Sequence, residues 1–412
     1  MNIRLKRKLV LFSLTLICTV LYFSNSAFSQ SNGFNVVAER LNNNEPIITI
    51  DNFKEAFNND SSFESEYTEQ GENINGASMF RIPDWIPNDQ RADPSANYYL
   101  YFADHQGNYI RLAWASEITG PWTLHSIGLD EAGDRINTRD RGVFALPSAD
   151  NARLVVNQNG RDLNMENHVA SPDVHVDDEN QQIIMYFHAP TNNPDGQNDL
   201  QKTFVATSDF GLDFNDGLFP VYIANSYARI FTYNNELYAL AGDRFFRAPS
   251  LNNPFNNSQN IDFLERDLWD RGASQPFSDY FQVDPIPDDD AAETNVRHTD
   301  VYLDGDTLHV FFTQRRGLPE RIMHTTVDLS QPFDEWTAVG SNADPTEVLR
   351  PEFPWEGSDV LIELSEGGGI TGLVHQLRDP DVFRDEDGQL YLLYSGGGES
   401  AIGIARLSIS NN

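Results

Sequence analysis

Histidine, arginine and tyrosine side chains recur along this 412-residue chain at the starts and ends of short β-rich runs. Imidazole and phenol groups transfer protons near neutral pH, and a guanidinium group binds carboxylate or sulfate through paired N–H donors. The residues predicted to transfer protons are His168, His298, Tyr227 and His105. The residues predicted to bind substrate are Arg229, Arg297, Arg378, His188, Asp173 and Asp84. This set predicts acid–base chemistry on an anionic substrate without a metal.

One reaction needs this combination of groups. Eliminating a group β to a uronic acid carboxylate requires a cation to neutralise that carboxylate, a base for the C5 proton and an acid for the leaving oxygen. We expect His168 or His298 to transfer a proton with Tyr227 or His105 as its partner. Arg229 or Arg297 would hold the carboxylate, in a pocket that is locally positive.

A repeated sequence unit must position these residues. Each unit reads as two strands joined by an Asp, Asn or Gly turn, with its polar cluster at the start of the first strand. The five copies cover residues 81–105, 168–189, 227–244, 297–316 and 377–395. Such repetition is typical of a β-propeller with one unit per blade. The sequence therefore predicts an all-β fold, a single five-bladed β-propeller of four-stranded antiparallel blades whose innermost strands converge on one pocket.

The N-terminus has the pattern of a secretory signal. A basic segment with Arg4 and Lys8 precedes an apolar run over residues 9–23, and Ala27 to Ser29 offers small residues for cleavage. We predict a signal peptide at 1–29, an N-terminal extension at 30–76 and the propeller at 77–412, in a periplasmic or secreted protein. The single cysteine, Cys18, falls inside the signal, so no disulfide is expected.

Charge narrows the class of partner. The net charge is −34, and no basic stripe suited to nucleic acid interrupts the acidic sequence. We expect an acidic oligosaccharide as substrate, no nucleic acid, no membrane after removal of the signal, and a monomer. No cofactor is expected, and a structural calcium ion on the propeller axis stays open.

The repeats resemble those of the five-bladed glycoside hydrolase family 43 and 32 superfamily. The segments RDPDVFRDEDGQLYLLYS (378–395) and SPDVHVDDENQQIIMYF (171–187), with GPWTLH (120–125), carry the resemblance. It implies a family role for Asp173 as the second catalytic aspartate. The chain departs from the pattern at the third blade, where the run from Ser226 to Arg229 lacks the family's glutamic acid, and at Asp84, whose Arg-Ile-Pro-Asp-Trp context is unusual.

Three functions follow from these observations. The first is β-elimination on oligosaccharides of an ulvan-like, uronic-acid-bearing polysaccharide, since the histidine, tyrosine and arginine set resembles that of propeller-type polysaccharide lyases and oligosaccharide dehydratases. The second is an exo-acting glycoside hydrolase of the family 43 type with relocated carboxylates. The third is a non-catalytic sugar-binding propeller. Only elimination leaves a C4–C5 double bond, which absorbs near-ultraviolet light.

Overall fold

The computed structural model describes most of the chain from Gly33 onward. The described residues are 33–105, 107–126, 142–146, 152–156, 162–166, 168–192, 198–219, 223–242, 244–248, 264–267, 296–333, 336 and 345–411. The predicted signal peptide, the loop at 131–140 and most of the loop at 251–294 lie outside them. Two short helices, α1 (Ile50–Ala56) and α2 (Glu64–Gly71), accompany 23 described strands. None of the described helices has the length and apolarity that crossing a membrane requires.

The strands are β1 Phe34–Arg40, β2 Asn75–Arg81, β3 Tyr98–Ala103, β4 Tyr109–Ala115, β5 Thr123–Ser126, β6 Phe144–Ala145, β7 Ala152–Val156, β8 Asp162–Glu166, β9 Ala170–Asp177, β10 Gln182–Asn192, β11 Asn198–Ser208, β12 Ala224–Asn225, β13 Ala228–Tyr233, β14 Glu236–Ala241, β15 Arg244–Arg247, β16 Leu264–Asp267, β17 Val296–Asp304, β18 Thr307–Gln314, β19 Ile322–Asp328, β20 Thr346–Leu349, β21 Leu377–Arg384, β22 Leu390–Gly396 and β23 Ala401–Asn411.

These strands form five antiparallel sheets, which confirms the five-bladed propeller. From the innermost strand outward, the blades are β2-β3-β4-β5, β9-β10-β11-β12, β13-β14-β15-β16, β17-β18-β19-β20 and β21-β22-β23-β1. Strand β6 pairs with β4, and the β7–β8 hairpin extends the second sheet through β10. The innermost strands β2 and β9, β2 and β21, β17 and β21, and β13 and β17 contact one another around the axis.

Strand β1 belongs to the propeller, although its residues fall in the N-terminal extension predicted from the sequence. Strand β1 pairs along its length with β23, from Phe34 opposite Asn411 to Arg40 opposite Ala405, and completes blade five. The expected boundary at residue 77 also falls inside β2. Joining both ends of the chain in one sheet closes the ring and covers an edge that would otherwise expose unpaired backbone groups.

The hydrophobic core lies between the blades. Five buried clusters correspond to the five contacts between neighbouring blades. Blades one and two, for example, bury Tyr101 and Phe144 against Phe187 and Phe204. Strand residues alternate between two faces, and both faces of a blade are covered, so the strands read as nearly continuous apolar and aromatic runs. This packing fixes the innermost strands, whose first residues line the axis.

Candidate active site

One residue from each blade forms a ring around the axis, here called the upper ring. Its members are Gly76, Ser171, Tyr227, His298 and Asp379, and all have a left-handed backbone with φ between 47° and 60°. In β2, β9, β17 and β21 the pairing register skips two residues at this point. Such a bulge re-aims a side chain, and strained backbone in non-glycine residues is concentrated at functional sites.

A second ring, here called the lower ring, lies two residues further along each innermost strand. It consists of Ser78, Asp173, Arg229, Asp300 and Asp381. Each side chain bonds to the next blade around the axis. The N–H groups of Val174, Ile230 and Val382 donate to the side-chain oxygens of Ser78, Asp173 and Asp300, respectively. Arg229 Nε donates to the Thr299 carbonyl, and Asp381 bonds to Ser78. The lower ring therefore joins the blades together.

Aromatic side chains continue the upper ring through blades one to four. The imidazoles of His105 and His168 stack with their centroids 5.5 Å apart, and Nε2 of His168 lies 3.3 Å from Nε2 of His188. The Tyr227 ring lies 4.3 Å from His188 and 5.2 Å from His298, measured between centroids. Four predicted proton-transfer residues and His188 thus form one continuous contact series.

Blades four and five close the ring with charged groups. Asp379 Oδ1 lies 3.4 Å from His298 Nδ1, and Glu320 Oε1 lies 3.9 Å from the same nitrogen. The two carboxylates are therefore at most about 7.3 Å apart, the sum of these distances. Arg297 binds both oxygens of Glu320, and Arg378 donates to Glu399 at 2.8 Å.

Burial sets the protonation of the ring. It raises the pKa of Asp379 to about 6, with a further rise from the Glu399 charge. Burial would also raise the pKa of Glu320, but Arg297 and Arg378 outweigh it and lower that pKa. The pKa values of the two carboxyl groups are thus shifted in opposite directions. This favours the protonated acid at Asp379 and the carboxylate at Glu320.

The imidazoles of His168, His188 and His298 stay neutral at pH 7. Burial, assisted by His105, lowers the pKa of His168 to about 4, and burial lowers the pKa values of His188 and His298 well below 6.5. Burial raises the pKa of Tyr227, which keeps its hydroxyl protonated. The nearby charges of Arg297 and Arg378 also disfavour an imidazolium at His298.

The three arginines predicted to bind substrate, Arg229, Arg297 and Arg378, are matched within the protein, in contrast to the locally positive pocket expected from the sequence. Glu320 and Glu399 match the charges of Arg297 and Arg378. Arg229 lies in the lower ring, where it contacts Asp300 at 3.6 Å and donates to two backbone carbonyls. All three guanidinium groups are therefore engaged by the protein itself.

Three predicted substrate-binding residues lie away from the upper ring. Asp173 and Arg229 belong to the lower ring, and Asp173 also contacts His175 at 3.0 Å. Asp84 follows the far end of β2, is exposed, and precedes Trp85, which bonds to Asp178 in the turn after β9. The structure thus brings together His105, His168, His188, Tyr227, His298, Arg297 and Arg378, and separates Asp84 from them.

Sequence reasoning missed the acids of the site. Glu320 precedes β19, and Glu399 lies between β22 and β23, outside the repeated cluster that directed attention to strand starts. Asp379 is not among the residues predicted from the sequence, yet its carboxyl faces His298 and Ser395. Its place beside Ser171, Tyr227 and His298 in the repeat alignment is the signal that could have identified it.

Within the described residues, no three His, Cys, Asp or Glu side chains are arranged to hold a metal ion. The axial calcium ion therefore stays a prediction of the sequence.

The chain is similar to a curated viral protein in sequence and to several solved structures in fold. It is 27% identical over 339 residues to the uncharacterized protein R118 of Acanthamoeba polyphaga mimivirus, covering 81% of this chain and 83% of that protein. No protein-family model matches.

Among solved structures, a thermostable family-43 glycoside hydrolase is 13% identical with a TM-score of 0.45, covering 82% of this chain and 89% of its own. A GH43_1 enzyme of Xanthomonas citri complexed with xylose is 14% identical, also with a TM-score of 0.45, covering 89% and 93%. The likeness to family 43 propellers is one of fold and transfers no chemistry to this chain.

Proposed function

We propose that the protein is a carbohydrate-active enzyme that hydrolyses glycosidic bonds at the upper ring. The observation that carries this proposal is the pair formed by Asp379 and Glu320. One carboxyl group has its pKa raised to about 6 and the other has its pKa lowered, at most about 7.3 Å apart. Two carboxyl groups with opposite protonation are what glycoside hydrolysis requires, at separations of roughly 5 to 9.5 Å.

Each group has a proposed role. Asp379 donates its proton to the leaving glycosidic oxygen as the bond to the anomeric carbon breaks. Glu320, held as a carboxylate by Arg297, stabilises the positive charge that develops on the sugar ring. The neutral imidazole of His168 accepts a proton from the attacking water, whose oxygen forms the new bond to the anomeric carbon.

The decisive variant is Asp379→Asn. It removes the acid and should lower kcat by ~10²–10⁴-fold. In the unsubstituted enzyme the protonated acid is the active form, so kcat/KM should fall as the pH rises above about 6. Reducing ends released from a panel of neutral and acidic oligosaccharides measure both effects. The exposed turn acid Asp387, changed to Asn, is the control and should retain the normal rate.

A second candidate is β-elimination, which the contact between Tyr227 and the neutral His188 and His298 favours. A neutral imidazole could remove the C5 proton and the phenol could protonate the leaving oxygen. Near-ultraviolet absorbance of the products, with normal turnover by Asp379→Asn, would establish elimination and exclude hydrolysis. Binding without either product would instead support the sugar-binding alternative.

The expected cellular location remains part of the proposal. A cleavable signal over residues 1–29 would deliver the enzyme to polysaccharide fragments outside the cytoplasm. Expression of the full chain in a Gram-negative host, followed by N-terminal sequencing of the periplasmic fraction, should find a mature protein that begins near Gln30. Retention of Met1 would contradict this location.

A further inference from the structure

One arginine beside the upper ring has no partner among the described residues. Arg315 follows β18 and lies two residues after Thr313, whose hydroxyl donates to Glu320. It is half-buried, yet its guanidinium makes no hydrogen bond or ion pair with a described residue. Arg297 and Arg378, by contrast, are paired with carboxylates.

The guanidinium of Arg315 rests on a glycine-rich segment, residues 365–372, here called the strap. A Cβ atom on Gly367 would lie 1.8 Å from Arg315 Nη2 and 2.5 Å from its Cζ. Any side chain at residue 367 would therefore displace the guanidinium. The absence of a side chain is what allows Arg315 to occupy this position.

The strap lies at the edge of the axial site. The Glu366 carbonyl accepts from Arg297, and the Gly368 carbonyl accepts from Arg378. Gly369 lies against the His105 ring, where a Cβ atom would approach within 2.6 Å. Arg315 therefore lies on the same strap whose carbonyl groups bind Arg297 and Arg378, while its own N–H groups make no hydrogen bond to a described residue.

The strap also carries backbone donors, beginning at Gly367, which lies against that guanidinium. The N–H groups of Gly367, Gly368 and Gly369 have no acceptor among the described residues, and all three glycines are exposed. A guanidinium fork beside successive free amides is a suitable environment for the oxygens of a carboxylate or sulfate.

We propose that Arg315 and the strap form an anion-binding subsite at the edge of the axial site. Its ligand is an oxyanion substituent, a carboxylate or a sulfate ester, on the sugar unit next to the one that reacts. This inference rests on the proposed hydrolysis and deepens it by naming an acidic oligosaccharide as substrate. It assigns recognition of the acidic group to Arg315, because carboxylates already neutralise the guanidinium groups of Arg229, Arg297 and Arg378.

The test is direct titration, which needs no turnover. In protein labelled with ¹⁵N-arginine, the Nε–H signal of Arg315 is assigned by its loss in Arg315→Gln. Sodium sulfate, sodium glucuronate and glucose are then added at constant ionic strength. The Arg315 signal should shift saturably with one or both anions and not with glucose. Arg384 is the internal control, since it is exposed at the far end of β21.

The variants separate charge from geometry. Arg315→Gln should weaken binding of the effective anion about 10–100-fold, as expected for a lost charge-assisted fork, with anion binding followed by calorimetry. Gly367→Ala keeps the charge but displaces the guanidinium, and should weaken binding by a similar factor. Arg384→Gln should leave it unchanged.

The outcomes are distinct. A shift with only one anion identifies the substituent as sulfate or carboxylate. Shifts at Arg315 no larger than those at Arg384, or normal anion binding by Gly367→Ala, would overturn the subsite. Loss of hydrolysis in Asp379→Asn is measured separately. If the proposed reaction is wrong, the anion titration can therefore still be interpreted.

Discussion

At the scale of single residues, the lower ring contains three buried carboxyl groups but only one arginine to neutralise them. Asp173, Asp300 and Asp381 surround Arg229, and all four are buried. Burial raises the pKa of Asp300 to about 7 and that of Asp381 well above its usual range, with Arg229 opposing both shifts. Arg229 and the neighbouring His175 help to lower the pKa of Asp173 against its burial. The ring therefore retains protons that exposed carboxyl groups would release.

This excess predicts a pH dependence of stability. Because the folded-state pKa of Asp300 is raised, its protonation stabilises the fold fully below pH ~4 and this contribution is lost as the pH rises through about 7. The free energy of unfolding should fall over that range. Asp300→Asn should remove on the order of 1–3 kcal/mol of the fall. Urea unfolding at pH 5 and pH 8 measures it, and the exposed Asp304→Asn should reproduce the normal fall.

At the scale of elements, the left-handed residue at each blade start is what aims the site. The free-energy cost of placing a side chain on such a left-handed residue depends on how closely neighbouring atoms approach it. Gly76 has φ 60°, and a Cβ atom there would lie 2.9 Å from the Ser171 Cα atom. Gly305 has φ 59° in an exposed turn, with no atom within 4 Å of its Cβ position. The two glycines thus share a backbone conformation and differ in crowding.

Alanine at both positions separates strain from packing. Gly305→Ala should cost ~1–2 kcal/mol of unfolding free energy, the cost of a left-handed backbone alone. Gly76→Ala should cost ~1–3 kcal/mol more, because the blade-one strand must also move away from blade two. Denaturant unfolding gives both values. Equal losses would mean that the upper ring tolerates displacement of its strands.

The blade strands could be predicted well from the sequence, whereas the carboxylate residues at the axis could not. Turn residues and alternating aromatic runs identified five blades and placed Ser171, Tyr227 and His298 at equivalent strand starts. The upper-ring residue of the first blade is Gly76 in β2, whereas the first repeat is recognisable only from residue 81, because a glycine gives no signal of chemistry. Glu320 and Glu399 reach the axis from loops between outer strands, and only tertiary packing brings them there.

At the scale of the whole molecule, the ring is closed by β1, which the sequence had assigned to a separate extension. Its weak apolar pattern, with alternate residues exposed, explains why it was not recognised as a propeller strand. Arg40 at its end donates to both oxygens of Glu356, a carboxylate that is fully buried. Glu356 also accepts from Tyr394 of β22 and from the backbone N–H groups of residues 352 and 353.

Arg40→Ala should therefore weaken closure of the propeller. Removing one partner of a buried pair leaves the other charge uncompensated, at a cost of ~3–5 kcal/mol. The same two strands supply a control. Arg406 of β23 lies 3.4 Å from Glu39 of β1, but both side chains are largely exposed, so Arg406→Ala should cost less than ~1 kcal/mol. Chemical unfolding measures both losses, and limited proteolysis near residue 40 should become faster only in Arg40→Ala. Similar losses in the two variants would indicate that strand pairing alone, without the buried ion pair, closes the ring.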